Sequence, residues 1–143
     1  MQAHHGSHVL AMKVFNVDDD AAVKSFVNEL KAYNALSELQ GQAIPVLHSF
    51  GQMAHTGCPT IVMHWAGQSI RNNDQLSNQL LKTAKKGLQA MHDRHVSHGD
   101  VHRRNMLKHK DRILFCDLGS SSINAPVYAF AEDLNMLDEV MHA

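Results

Sequence analysis

The feature that most constrains this chain is a polar octapeptide, His98-Gly-Asp-Val-His-Arg-Arg-Asn105, set between a helical repeat and a short apolar run. Upstream, Leu76, Leu80, Ala84, Leu88 and Met91 recur at helical spacing and predict a helix over about 75–95 with one buried side. Downstream, residues 112–116 read as a short strand and Asp117-Leu-Gly119 as a turn, followed by three serines. A polar surface turn is the plain reading of the octapeptide. The order helix, polar loop, strand, Asp-x-Gly turn favours a built site instead.

The first half of the chain gives the frame for that site. Residues 9–17 are apolar and β-branched and predict a strand, with Lys13 as a lone charge in its middle. Asp18, Asp19 and Asp20 offer N-cap chemistry to a helix over about 21–39. On it Ala22, Phe26, Glu29, Tyr33 and Leu36 share one face, which leaves Glu29 as the odd carboxylate on an apolar stripe. Gly41 ends that helix, and residues 44–50 and 60–63 predict two short strands before a break at Trp65-Ala-Gly67. A last helix is expected over 131–141, with Leu134, Leu137 and Met141 on one face. The expected fold class is therefore α+β: a small sheet with the Glu29 helix, then a mostly helical part from about Gln75.

His98-Gly-Asp100 with Asn105 five residues after the aspartate, then Asp117-Leu-Gly119, resembles the catalytic loop and metal motif of the protein-kinase-like superfamily. Ala11-Met-Lys13 resembles its lysine strand, and Glu29 stands where the paired glutamate of the next helix belongs. The resemblance implies one two-lobed domain, with a small lobe over about 1–66 and a partial helical lobe over about 67–143. It implies an ATP- and Mg²⁺-dependent phosphotransferase acting on a hydroxyl acceptor, protein serine or threonine in the first reading. Small-molecule kinases of the aminoglycoside and choline type are an alternative, since the segment after Asp117 is short and His102 stands where protein kinases carry lysine. A catalytically degenerate binding module is another.

The roles implied follow from the charge of the transferred group. Phosphates need a cation held by hard oxygen ligands, a lysine, and a carboxylate near the attacking hydroxyl. By resemblance Asp117 and Asn105 hold Mg²⁺, Asp100 receives the hydroxyl proton, and Lys13, positioned by Glu29, holds the ATP phosphates. His98 braces the loop, and Asp133 ties back to it. Met63, His64, Trp65 and Ala66 form the hinge, where the backbone of His64 and Ala66 pairs with adenine. Lys13 and Asp117 are then expected within ~15 Å of each other, because phosphates and metal share one site.

The chain departs from that pattern at both ends. Twelve residues precede Lys13 with Gly6 as their only glycine, too few for a Gly-rich hairpin, and 26 follow Asp117 without an Ala-Pro-Glu motif. Both lobes are thus expected to be truncated.

Composition narrows the partners. Thirteen basic against 14 acidic residues leave no case for nucleic acid or an anionic membrane, and Lys82, Lys85 and Lys86 read as a solvated helix face. Two cysteines, Cys58 and Cys116, cannot build a disulfide framework. With no apolar run of signal-peptide or membrane-spanning length, the expectation is a soluble cytoplasmic protein. His4, His5 and His8 read as a disordered polar start and not a metal site, because no Cys/His pairs recur at zinc spacing. No P-loop, dinucleotide-binding glycine pattern or Gly-x-Ser-x-Gly elbow is present.

Overall fold

The computed structural model describes residues 2–5 and 8–142. Strands β1 (Gln2–His5), β2 (His8–Val14), β3 (Leu47–Gln52) and β4 (Pro59–His64) form an antiparallel sheet in the order β1-β2-β4-β3. Helix α1 (Asp20–Ala35) lies between β2 and β3 in the chain. Two short strands, β5 (Gln68–Ser69) and β6 (Val96–Ser97), flank helix α2 (Asn78–Asp93). Strands β7 (Met106–His109) and β8 (Arg112–Phe115) complete a β5-β7-β8 sheet, and β9 (Ser122–Ile123) pairs with β6 ahead of helix α3 (Val127–Met141). Over the described residues the fold is α+β with three α-helices and small antiparallel sheets.

Capping sets where the first two helices begin. The Asp19 carboxylate accepts from the Ala21 N–H at 3.0 Å, and Ser77 Oγ accepts from the Leu80 N–H at 3.2 Å. Helix α1 stops at Ala35, earlier than its periodicity suggests. A 3₁₀ turn, Ser37–Leu39, tightens the exit before Gly41, whose φ of +81° suits glycine. Ala32 and Tyr33 of α1 and Leu36 just past its end join Leu80, Ala84, Leu88 and Met91 of α2, Phe115 of β8 and Leu137 of α3 in one buried apolar cluster. Lys82, Lys85 and Lys86 face solvent on the opposite side of α2.

Three expectations are corrected. Residues 2–5 are a strand and not a disordered start: they pair with β2 from Gln2↔Ala11 to His5↔His8, and ladder bonds are indifferent to side-chain polarity. The side chains of His4, His5 and His8, and residues Gly6 and Ser7 of the connection, lie outside what is described. The chain beyond Gln75 is not mostly helical, since β6 to β9 lie between or beside its two helices. On α3 the inward residues are Asp133, Leu137 and Val140, while Leu134 is 41% exposed. A buried carboxylate has displaced the apolar residue because backbone N–H groups beneath the helix need an acceptor. No helix among the described residues is long and apolar enough to cross a membrane.

Candidate active site

Lys13 is the penultimate residue of β2, opposite Ile61 of β4. Its ammonium reaches two carboxylates, Glu29 Oε2 at 3.1 Å and Asp117 Oδ1 at 3.0 Å, the second from a residue 104 positions away in the chain. The Phe15 ring lies 5.0 Å beneath it. Glu29 is wholly buried, and its other oxygen accepts from the Leu118 N–H at 3.2 Å. One side chain of α1 therefore grips both the lysine and the turn that carries Asp117. Asn28 adds to that grip, donating to the carbonyls of Gly119 and Ser121 at 2.8 and 2.7 Å.

Asp117 is held in the left-handed region at φ +59°, a conformation that aspartate tolerates better than most residues and that surrounding contacts must enforce. Burial opposes ionisation there, but the adjacent Lys13 ammonium and the Gly119 N–H hold its carboxyl below the usual range. Lys13 mirrors it: burial lowers its basicity, and Glu29 and Asp117 together raise it further. Burial pushes the Glu29 carboxyl up against the opposing pull of Lys13 and the Leu118 N–H.

The octapeptide is braced from below. Asp133, with no exposed surface, accepts from the His98 N–H at 2.7 Å, the Gly99 N–H at 2.9 Å and His92 Nε2 at 2.9 Å. His98 is equally buried; its Nδ1 accepts from the Asp100 N–H at 3.1 Å, so Nε2 carries the proton donated to the Cys116 carbonyl at 2.9 Å. Burial keeps that imidazole neutral, which suits a ring with one donor and one acceptor in use. Gly99, at φ +84°, must be glycine, because a Cβ there would run into the Ser120 carbonyl. His98 therefore ties the loop to the strand end that precedes Asp117.

Asn105 joins the loop to the Lys13 cluster. Its amide nitrogen donates to the backbone oxygen and to Oδ2 of Asp100, both at 2.9 Å, and the residue is 5% exposed. A cavity of about 310 Å³ is lined by Lys13, Glu29, His64, Ala66, Asn105 and Asp117, all six residues that the sequence singled out for nucleotide and metal. Asp100 is outside this lining and reaches it through Asn105. One hinge expectation is refined: the His64 N–H donates to the Val46 carbonyl at 2.9 Å, so among the backbone donors of that pair only Ala66 has no partner among the described residues.

Neither protein-family models nor curated proteins give a match to this chain. What the site can do follows from its own donors. No group of three or more His, Cys, Asp or Glu side chains that could cage a metal occurs among the described residues. Asp117 and the Asn105 amide oxygen are a smaller, all-oxygen set. That set fits Mg²⁺, which binds through one or two protein oxygens and takes its remaining ligands from water and phosphate.

Sequence reading missed several contributors. His92 falls on the Leu80, Ala84, Leu88 row of α2, so its position four residues past Leu88 was a usable signal. Ser69, Leu107 and Cys116 also line the cavity, and nothing in their local sequence marks them. The Cys116 thiol is pushed up to about 12 by burial and by Asp117 and Glu29, which makes it a wall and not a nucleophile.

Proposed function

We propose that this chain is an ATP- and Mg²⁺-dependent phosphotransferase with a two-lobed, protein-kinase-like fold, acting on a hydroxyl acceptor. The observation that carries the reading is the Lys13 ammonium at 3.1 Å from Glu29 and 3.0 Å from Asp117, in a cavity that Asn105 also lines. A strand lysine, a helix glutamate and an aspartate from a later turn converge on one cavity. They meet where a polyphosphate and its cation would need them.

In this reading Lys13 binds the phosphates, and Glu29 fixes its ammonium at the end of a mobile four-carbon stem. Asp117 and the oxygen of Asn105 would hold Mg²⁺, which supplies charge neutralisation between the phosphate oxygens when bound. Asp100, oriented by Asn105, accepts the proton of the attacking hydroxyl. Ala11, Met63 and Leu107 give the cavity apolar walls suited to a flat base, and the Ala66 N–H offers that base a donor. A small-molecule acceptor is the second reading of the substrate. It is favoured by the short span from Asp117 to the start of α3 at Val127, which leaves little chain to form a platform for a protein.

The test compares wild type with Asp100→Asn for phosphate transfer to protein, sugar and amino-alcohol acceptors, with nucleotide affinity measured alongside. The substitution keeps shape and removes the base, so transfer should fall ~10²-fold or more while affinity stays within about twofold. Equal transfer by both proteins would remove Asp100 from the mechanism. No transfer by wild type would leave a nucleotide-binding module.

A further inference from the structure

The Asp100 carboxylate is held from two sides by residues that line two different cavities. Asn105, from the cleft, donates to Oδ2 at 2.9 Å. His102 places Nε2 2.8 Å from Oδ1, and it lines a second cavity of about 390 Å³ together with Asn72, Arg104 and Glu139. The contact is local in origin: His102 is extended, at φ −137° and ψ 158°, ahead of the 3₁₀ turn Arg103–Asn105. Extended backbone returns its side chain to the same side as Asp100, two residues earlier. An ionised carboxylate only accepts, so Nε2 of His102 carries the proton in this pair.

The neighbouring arginines do not substitute for it. Arg103 spends its guanidinium on the carbonyls of Arg71 and Asp74, both at 2.8 Å, and of Val140 at 3.2 Å. Arg104 stands 3.7 Å from Oδ2, too far for a hydrogen bond, with 72% of its side chain in solvent. Among the described residues of the second cavity, His102 is the one that bonds to Asp100.

We propose that His102 is a positioning residue for phosphoryl transfer, fixing the Asp100 carboxylate from the side opposed to Asn105. The inference rests on the reading of Asp100 as the base. In the step, the acceptor oxygen bonds to the γ-phosphorus while the bond from that phosphorus to the β–γ bridging oxygen breaks. ADP leaves with the electron pair, and the hydroxyl proton passes to Asp100. With one donor on each oxygen the carboxylate cannot rotate without losing a hydrogen bond, so its remaining lone pairs keep one direction for the incoming proton.

Two measurements test this. The first is Mg²⁺-dependent ATP hydrolysis, with water as acceptor, for His102→Ala and His102→Gln, each in wild-type and Asp100→Asn backgrounds. Glutamine carries an amide nitrogen at the place of Nε2, so it should keep kcat within about threefold, whereas alanine should lower kcat ~10-fold with KM for ATP unchanged. In the Asp100→Asn background alanine should cost nothing more. Equal losses for Gln and Ala, a loss in KM alone, or an additive loss would overturn the proposal. The second is the ¹⁵N NMR tautomer of the neutral His102 ring, which should be Nε2–H in wild type and mixed in Asp100→Ala. A wild-type ring protonated at Nδ1 overturns the pair whether or not ATP is hydrolysed. A ring protonated at Nε2 with neither hydrolysis nor transfer to protein, sugar or amino-alcohol acceptors upholds the pair and overturns the phosphotransferase reading, and with it the role in transfer.

Discussion

Asp117 and Asp133 are both carboxylates that titrate below the usual range although burial pushes them up, and they arrive there by different means. Asp133 has no exposed surface and is held by three hydrogen bonds, from His92 and the N–H groups of Gly99 and His98. Asp117 leaves 43% of its side chain exposed beside a cavity, and its chief partner is the ammonium of Lys13. Every bond of Asp133 points into the fold, where backbone donors would otherwise go unpaired. Asp117 keeps its charge at a surface, balanced by the ammonium of Lys13, which it shares with Glu29. The first arrangement fixes a loop; the second is suited to binding.

Substitution should separate the two. The largest expected effect is on stability, from Asp133→Ala: two backbone donors and His92 lose a buried acceptor, at a cost of about 3 kcal/mol measured by urea unfolding. Because the folded carboxyl titrates below its unfolded value, this contribution is complete at neutral pH. It is lost as pH falls below the ordinary carboxylate value of about 3.9 toward the depressed folded one. Acid unfolding of wild type should therefore steepen there, and Asp133→Ala should lack that component. A loss below ~1 kcal/mol would mean that the loop is held by something else.

Next comes Gly99→Ala, at about 2 kcal/mol, from a left-handed backbone and a collision with the Ser120 carbonyl that forces one of the two backbone segments to shift. A neutral result would show that the loop shifts freely and that Asp133 does not fix it. Smallest is Asp117→Asn, within about 1 kcal/mol in the same unfolding assay, because asparagine also tolerates φ +59° and the lost ion pair is part-exposed. If Asp117→Asn proved as costly as Asp133→Ala, the division into a brace and a binding charge would fail.

The same division explains what could be read before the fold was known. Glu29 was legible because a carboxylate on an apolar stripe needs a reason, and Lys13 for the same cause in a strand. The octapeptide and the Asp117 turn were legible as an ordered motif. Asp133 was legible only through the resemblance, since periodicity alone marked the Leu134, Leu137 and Met141 face of its helix. The β1 strand was hidden because backbone pairing leaves no side-chain period in four residues, and β5, β6 and β9 are two residues long each. The meeting of Lys13 with Asp117, 104 positions apart, was expected through the resemblance alone, because no local pattern encodes a contact across that span.

Calorimetry of ATP binding over a series of Mg²⁺ concentrations, on wild type and on Asp117→Asn, tests the central claim most directly. Asp117 is the carboxylate beside the lysine and the acceptor-only ligand of the proposed cation, so removing its charge should take away most of the Mg²⁺ dependence. The account predicts that wild type binds ATP more tightly as Mg²⁺ rises and that the variant binds it with little response to the metal. Wild type that binds no ATP, or a variant with an unchanged Mg²⁺ response, would contradict it.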